Sequence, residues 1–579
     1  MRFLWLVAAL GLMLASAYIV GIFGFTPFAE VQRLGQVAYF EYAPDGPSYL
    51  ELALTPARYA ALRLGSTALL AGSAWACAGL LRKPLYRREV RHLQHEIGSA
   101  IGALRRVVGE LSLAEKALGA ALLVLMLGLQ LFWLLNDSLS PDEIGSYDAF
   151  VHEGAAAVAS FYPIPNNHVG YNMLSWALAQ VLPAQVRLIM RLPSLLVATA
   201  GSALSGVLLT RRCNFRVAAL VTALFGLTKL TIVYATAGRG YYLQFVCIQL
   251  AFFAAVEMLL QGHCRRLAWL VFIGSSVVGL YAIPTFALPL AGLLLALLAG
   301  SWRPNYRRGF LAQVLLAAAI IGAITLLLYA PVGCVSGWTR LLGNRYVAAQ
   351  SAAAFWGTAK AYTYETTAML LGSVRPALLL AGALLASAPL VLRRVPLPAA
   401  VRGLGWGSWL LVVVPLAYML ARQVFVPARA LMYTTFFVYL LAALGADVVA
   451  ARWGRKPAAW LPMLLLALLP CYGLVRFGLD LPVVFQSRAT EATALRAYQW
   501  FRNQPPGPVF IQASYYAIMF HHYGLLDGRA LTLDARRVAG KRYPYVIRAI
   551  DVPPSLPATG TPPYRASYRD AMVVIYTVR

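Results

Sequence analysis

KALGAALLVLMLGLQLFWLLNDSLSPDEIGSYD, from Lys116 to Asp148, is the stretch on which the reading of this chain turns. Residues 117–135 are almost wholly apolar, and a helix of that length crosses about 30 Å of hydrocarbon. Directly after it come Asp137, Asp142, Glu143 and Asp148. An apolar helix followed at once by a group of carboxylates describes a membrane span that opens into a polar loop. Backbone groups in lipid must be satisfied within their own segment, so helix is the default, and the alternation of barrel strands is missing.

The rest of the chain repeats the apolar half of that pattern. Apolar residues make up 60% of the 579, and Asp, Glu, Lys and Arg together 12%, about half the roughly 25% typical of soluble domains. So few charges cannot clothe a soluble protein of this size. About thirteen spans are expected, near residues 3–22, 62–81, 117–135, 192–210, 217–236, 241–260, 267–283, 284–300, 311–330, 376–392, 406–421, 430–450 and 459–476. Leu267 to Gly300 is too long for one helix, and Pro284 divides it. Tyr171 to Leu182 is apolar but short, and reads as interfacial or re-entrant.

Against 22 acids stand 49 basic residues, a formal charge of +27. Two explanations compete: a nucleic-acid partner, or basic loops held on one side of a membrane. Placement decides between them. The segment 82–116 holds eight basic residues, and every second connection after it is basic again: Arg211, Arg212 and Arg216; Arg265 and Arg266; Arg303, Arg307 and Arg308; Arg393, Arg394 and Arg402; Arg452, Arg455 and Lys456. That alternation marks the cytoplasmic side. The intervening loops and everything after residue 476 then face outward, and no nucleic-acid partner is expected.

Three segments emerge. Residues 1–116 form an N-terminal helical hairpin plus a cytoplasmic amphipathic segment, 117–476 a transmembrane core, and 477–579 a small α/β domain outside the membrane. Ala15-Ser16-Ala17 resembles a signal-peptidase site, but the apolar run continues through Ile22 and Phe23, which favours an uncut first helix. Within 82–116, Val90, Leu93, Ile97, Ile101, Leu104, Val108 and Leu111 recur at helical spacing between arginines, as in a helix lying on an anionic leaflet. His92, His95 and Glu96 are expected on its solvated face and not at a metal site. The tail has ten prolines, a helix starting near Ala489, and alternating runs at 508–511 and 572–576. The six cysteines are scattered and form neither a disulfide framework nor a metal-ligand pattern.

The acids carry the chemistry. Asp137, Asp142, Glu143, Asp148 and Glu153 fall within 17 residues of one outward loop, in a chain with only 22 acids. A carboxylate at a membrane surface can have its pKa adjusted by partial desolvation, which suits a general base. The plainer reading is a polar loop whose acids cap a short helix over 142–153, with Asp142 or Ser140 near its N-cap.

A span ending in an Asp-Glu pair, followed about twenty residues later by Pro165-Asn166-Asn167-His168, resembles the first external loop of the GT-C class of membrane glycosyltransferases. More narrowly it is similar to the protein O-mannosyltransferase, lipid A aminoarabinose transferase and rhizobial galacturonosyltransferase group. Arg191-Leu192-Pro193-Ser194, Arg239-Gly240-Tyr241 and Val426-Pro427-Ala428-Arg429-Ala430-Leu431 fit the same pattern in order. The chain departs from it in the first 116 residues and at Val169-Gly170, where the group has Pro-Pro.

The resemblance implies an all-α polytopic membrane protein of GT-C architecture with a small C-terminal α/β domain. It also implies a sugar donor on polyprenyl phosphate, a lipid, glycan or protein hydroxyl as acceptor, inversion at the anomeric carbon, and a site on the periplasmic side of a bacterial inner membrane. Asp142 is then the expected base, with Glu143 orienting it or binding a cation and Asp137 as the rival. Arg239, His168, Asn167, Tyr171, Arg429 and Arg345 are expected to contact donor phosphate or substrate. No metal or other cofactor is expected to be required, although the acid pair is compatible with a divalent cation. The alternative is a multispanning transporter or lipid flippase, which places ionisable residues near the bilayer midplane. Here the spans hold few, with Lys229 nearly alone.

Overall fold

The structure, a computed structural model, describes residues 1–41, 47–183, 185–260, 265–301, 309–343, 347–372, 375–453, 456–538, 540–550 and 564–578. Eleven helices among them have the length and hydropathy to cross a membrane. The pair Phe215–Gly226 and Lys229–Thr236 is apolar enough only when taken together and is bent by 75°, the geometry of a broken span or a re-entrant loop, so the expected run at 217–236 is not one straight helix. Thr228 sits at the break and caps the second half by accepting the Thr231 amide, an alternative to continued helix that Thr side chains offer. The expected run at 267–283 is the helix Arg265–Ala282, which is not among the eleven and stops ahead of Pro284 because proline cannot continue it. Tyr171 to Leu182 falls largely in the helix Val169–Ala179, whose 11 residues fall short of the roughly 17 a span needs.

Helix Val186–Arg212 relates the charged loops to one another. Arg191 lies near its start and Arg212 at its end, about 32 Å apart at 1.5 Å per residue. Arg191 pairs with Glu143, and Arg212 with Glu257. The acid-rich loop and the basic connection after Arg212 therefore occupy opposite ends of the bundle. Lys229, expected to stand nearly alone, is paired with Asp480 at 2.7 Å.

The amphipathic segment folds as the helix Pro84–Glu110. Its Ile97, Ile101 and Val108 are exposed, as a membrane-facing stripe requires. Glu96 departs from the expectation. It is buried, accepting from Arg266 at 3.1 Å and from the Leu267 amide at 2.9 Å, and so docks this helix on the start of Arg265–Ala282. His92 and His95 are solvated as expected.

At the other end of the chain the helix does not begin near Ala489. Lys456–Phe501 is continuous for 46 residues, so the last apolar run passes into the terminal region without a break. Beyond it lie β1 (Val509–Ile511), β2 (Leu533–Asp534), β3 (Tyr545–Ala549), β4 (Tyr564–Arg569) and β5 (Val573–Val578). They form one sheet in the order β2-β1-β3-β5-β4. β1 is parallel to β2 and β3, while β5 is antiparallel to β3 and β4. Alternate residues Ile511, Ile547, Val573 and Ile575 face a core shared with Ala517 and Phe520 of the helix Ser514–Leu526.

The acid-rich loop is wedged between this domain and the N-terminal hairpin. Ile144, Tyr147 and Val151, three and four residues apart, pack into the C-terminal core. Ala149, Phe150, Ala157 and Phe161 pack into a separate core with Ile19, Phe23, Val31, Leu50 and Tyr59 of the hairpin. A surface loop of this length is ordinarily mobile; here apolar side chains hold it from two sides.

Candidate active site

The loop's first helix is Pro141–Ser146, and its start is written locally. Ser140 accepts the Glu143 amide while Glu143 Oε2 accepts the Ser140 amide at 2.8 Å, and Pro141 occupies the first turn where no N–H is needed. Of the two residues expected near the N-cap, Ser140 is the cap. The helix then widens into a π-turn over Tyr147–Val151, a distortion that is frequent at functional sites.

Capping turns Glu143 inward. Its carboxylate takes Arg191 Nε on Oε1 and Arg191 Nη2 on Oε2, both at 2.8 Å, and the Gly238 amide on Oε1 at 2.6 Å. With the Ser140 amide these contacts use all of the roughly four acceptor positions of a carboxylate. Both partners of the ion pair are 2% exposed. Burial opposes the charge on Glu143, but Arg191 and the backbone donors outweigh it and hold the carboxyl below its ordinary pKa. A Cβ on Gly238 would lie 2.8 Å from Met190 Cβ and 3.1 Å from Glu143 Oε1, so only glycine lets this amide come so close.

Asp142 points the other way, into a cavity of about 620 Å³ at this end of the bundle. Its side chain is 46% exposed and lies 3.5 Å from Arg239 Nη1. Arg239 also donates to the Asp142 carbonyl at 3.3 Å and to Asn166 Oδ1, while its buried Nε has no partner. Arg429, on the 3-10 turn Ala428–Leu431, lines the same cavity and likewise leaves its Nε unpartnered. The two guanidinium groups each stand 5.9 Å from the ring centroid of Tyr241, so one aromatic ring spaces both cations.

His168 completes this corner. Its Nδ1 accepts the Gly240 amide at 2.9 Å, which places the imidazole proton on Nε2, 3.4 Å from Arg239 Nη2. Burial, then Arg239 and Arg429, push its pKa well below the ordinary value, so the ring is neutral. A Cβ on Gly240 would meet His168 Nδ1 at 3.3 Å. Donors from His168, Arg239 and Arg429 therefore converge beside one carboxylate, an arrangement suited to an anion next to a base.

Of the expected site residues, Asp142, Arg239, His168 and Arg429 line the cavity. Glu143 lies behind it, with no acceptor position left for a cation shared with Asp142. Asn167 is 1% exposed and donates to the Val158 and Phe161 carbonyls, which shapes the loop. Tyr171 is buried against Met190 and Ser194, also behind the cavity. Arg345 lies outside the described residues. Asp137, the rival base, accepts from Ser487 at 2.9 Å and sits 3.9 Å from Arg191, away from the cavity; burial raises its pKa. No group of three or more His, Cys, Asp or Glu suited to a metal occurs among the described residues.

Asn166, Tyr241 and the role of Arg191 were not expected, although all three sit inside motifs the sequence displays. A further cluster had no sequence signal. Asp148 accepts from His522 Nδ1 at 2.6 Å and lies 3.4 Å from His521 Nδ1, tying the acid loop to the helix Ser514–Leu526. Burial disfavours its charge, but the two imidazoles hold its carboxyl below the ordinary range.

No family model matches the chain, and no curated protein sequence does. Solved structures do. ArnT from Cupriavidus metallidurans, bound to undecaprenyl phosphate, aligns with a TM-score of 0.50 at 12% identity over 79% of this chain and 97% of its own. The apo form of that protein gives the same figures. Archaeal oligosaccharyltransferase AglB from Archaeoglobus fulgidus, in complex with an inhibitory peptide and a dolichol-phosphate, aligns with a TM-score of 0.37 at 13% identity over 76% and 70%. With the apolar helices and the C-terminal sheet, the ArnT alignment shows that this chain has the GT-C fold, a polytopic helical membrane protein with a small α/β domain at its end.

Proposed function

We propose that the protein is a membrane glycosyltransferase that moves a sugar from a polyprenyl-phosphate donor to a hydroxyl acceptor with inversion. The observation that carries this reading is a cavity in which the half-exposed carboxylate of Asp142 lies beside two guanidinium groups whose Nε atoms lack partners. ArnT, of the same fold, was solved with undecaprenyl phosphate, a ligand of the anionic class those groups would take.

The chemistry is one displacement. The acceptor oxygen forms a bond to the anomeric carbon as the bond from that carbon to the donor phosphate oxygen breaks. The electron pair leaves with the lipid phosphate, whose growing charge Arg239 and Arg429 balance, with the His168 Nε2–H as a neutral donor. Asp142 takes the acceptor proton and later returns it to water. Phosphate is already a good leaving group, so no acid is needed, and no metal is required in this scheme. The distribution of basic loops supports a cavity end that faces away from the cytoplasm, which in this reading is the periplasmic side of a bacterial inner membrane.

The test is transfer from a polyprenyl-phosphate sugar in proteoliposomes. Asp142→Asn should abolish turnover while undecaprenyl phosphate still binds. Full activity in that variant would overturn the assignment, and failure of the wild-type protein to bind undecaprenyl phosphate would overturn the function.

A further inference from the structure

A second cavity lies at the basic end of the bundle, the end away from Asp142. It encloses about 290 Å³ between the first turns of the helices Leu113–Asn136 and Phe215–Gly226 and the last turns of Val186–Arg212, with Val107, Val108 and Leu111 of the amphipathic segment as its fourth side. Small residues leave the space. Gly119, Ala120, Ala203 and Gly206 line it, and a Cβ on Gly206 would meet only Thr222 Oγ1, at 3.9 Å. The polar side chains of Ser202 and Thr210 are already used: Thr210 donates to the Gly206 carbonyl at 2.8 Å, and Ser202 shares a hydrogen bond with Tyr242 at 3.3 Å. Such a lining suits hydrocarbon and offers water few partners.

The rim is cationic. Lys116 lines the cavity and donates to the Gly109 carbonyl at 3.0 Å, which ties the end of the amphipathic helix to the bundle. Arg211 follows the lining Thr210, and the exposed Arg216 follows the lining Phe215 and lies within electrostatic reach of Glu115. Glu115, the acid of the lining, turns its carboxylate onto the Ser112 amide and hydroxyl, both at 2.9 Å.

We propose that this cleft binds an anionic phospholipid of the leaflet at the basic end, with one acyl chain in the cleft and the phosphate among Lys116, Arg211 and Arg216. Depth argues for a lipid over a partner helix. The lining runs from Lys116 to Leu123 and from Ser202 to Thr210, about 10–12 Å at 1.5 Å per residue. That is within one leaflet of a hydrocarbon core about 30 Å thick, which a spanning helix would cross entirely. Ala120 is exposed, so a chain enters sideways from the bilayer. The lipid also completes the seating of the amphipathic helix. Glu89 and Glu96 pin its first half on Arg266, and a bound chain supplies the apolar contact for Val107, Val108 and Leu111 at its end.

The test uses the purified full chain, delipidated in a mild detergent, with phosphatidylglycerol and phosphatidylethanolamine of the same acyl chains as probes. Native mass spectrometry should show one phosphatidylglycerol held in preference to phosphatidylethanolamine. Arg216→Gln should reduce that preference about fivefold, the worth of one cation at an anionic lipid surface. Gly206→Leu and Ala203→Leu, which fill the cleft, should each abolish the tight adduct. Added phosphatidylglycerol should raise the melting temperature of the wild type and slow amide exchange over 105–111, with neither effect in the filled variants. Equal retention of the two lipids by the wild type, or a preference unchanged in Arg216→Gln, would overturn the anionic headgroup. An adduct that survives in either filled variant would overturn the cleft. Displacement of phosphatidylglycerol by equimolar undecaprenyl phosphate, or a two-chain mass lost on filling the cleft, would assign it another occupant and overturn the proposal as well.

Discussion

Asp142 and Glu143 are neighbours in sequence and opposites in setting. On the cavity side of the helix Pro141–Ser146, Asp142 is half exposed and has one cation 3.5 Å away. On the other side Glu143 is sealed by Arg191 and two backbone amides, with none of its acceptor capacity left. The difference teaches how a membrane-surface site is divided. One carboxylate is left incompletely paired and open to the cavity, and the next holds the helix in place by being completely paired.

The largest effect expected from this contrast is on turnover. Asp142→Asn should lower kcat on the order of 10²–10⁴-fold, the range for a lost general base, with thermal stability unchanged. If Glu143→Gln did the same without loss of stability, the division between the two would break. Stability comes next. Arg191→Ala should destabilise the protein by about 3–5 kcal/mol, because it leaves a buried charge unpaired; thermal unfolding reads this, and the double variant with Glu143→Ala should lose less than the sum of the singles.

On the cavity side, Arg239→Gln should cost about 10²–10³-fold in kcat, as for a lost transition-state donor, with a smaller change in melting temperature than Arg191→Ala. A melting loss equal to that of Arg191→Ala would make Arg239 a second pin. His522→Ala should cost about 1.5–3 kcal/mol, the worth of a hydrogen bond to a charged group, and should loosen the C-terminal domain from the acid loop, read as faster amide exchange over 141–151.

Acid should separate the two sides as well. The Glu143 carboxyl is held below the ordinary glutamate range by Arg191 and the backbone donors, so the stability it contributes is complete above the unfolded value of about 4.3 and is lost as pH falls through the lower folded value. The melting temperature should therefore hold from neutrality down to about pH 4.5 and drop below it. His168 is depressed in the folded protein, so the transfer rate should show no limb near the ordinary histidine pKa arising from this ring. Such a limb, removed by His168→Gln, would show that the ring titrates during the reaction.

Much of this site could be read in advance. The span-then-acids stretch pointed to the loop that lines the cavity, and Ser140 with Glu143 three residues on is a local capping pattern that needs no tertiary knowledge. Arg239 and Arg429 sit in short motifs at span starts, where a cation can face an outer cavity. The placement of Asn167 and Tyr171 behind the cavity was not legible, since a polar loop residue can turn either inward or outward depending on which carbonyls lie near it. Glu96 was misread for the same reason, because its partner Arg266 lies 170 residues away.

By itself the sequence determined what short range and solvent decide: which runs are apolar, how the basic loops alternate, and that the acids gather in one loop. Tertiary structure alone decided which carboxylate of the pair is free. Glu143 is silenced by Arg191, 48 residues on, and by Gly238, 95 residues on, while Asp148 is held by histidines more than 370 residues on. No local pattern encodes such meetings, because the strength of an ion pair or hydrogen bond depends on distance and burial in space, and separation along the chain fixes neither.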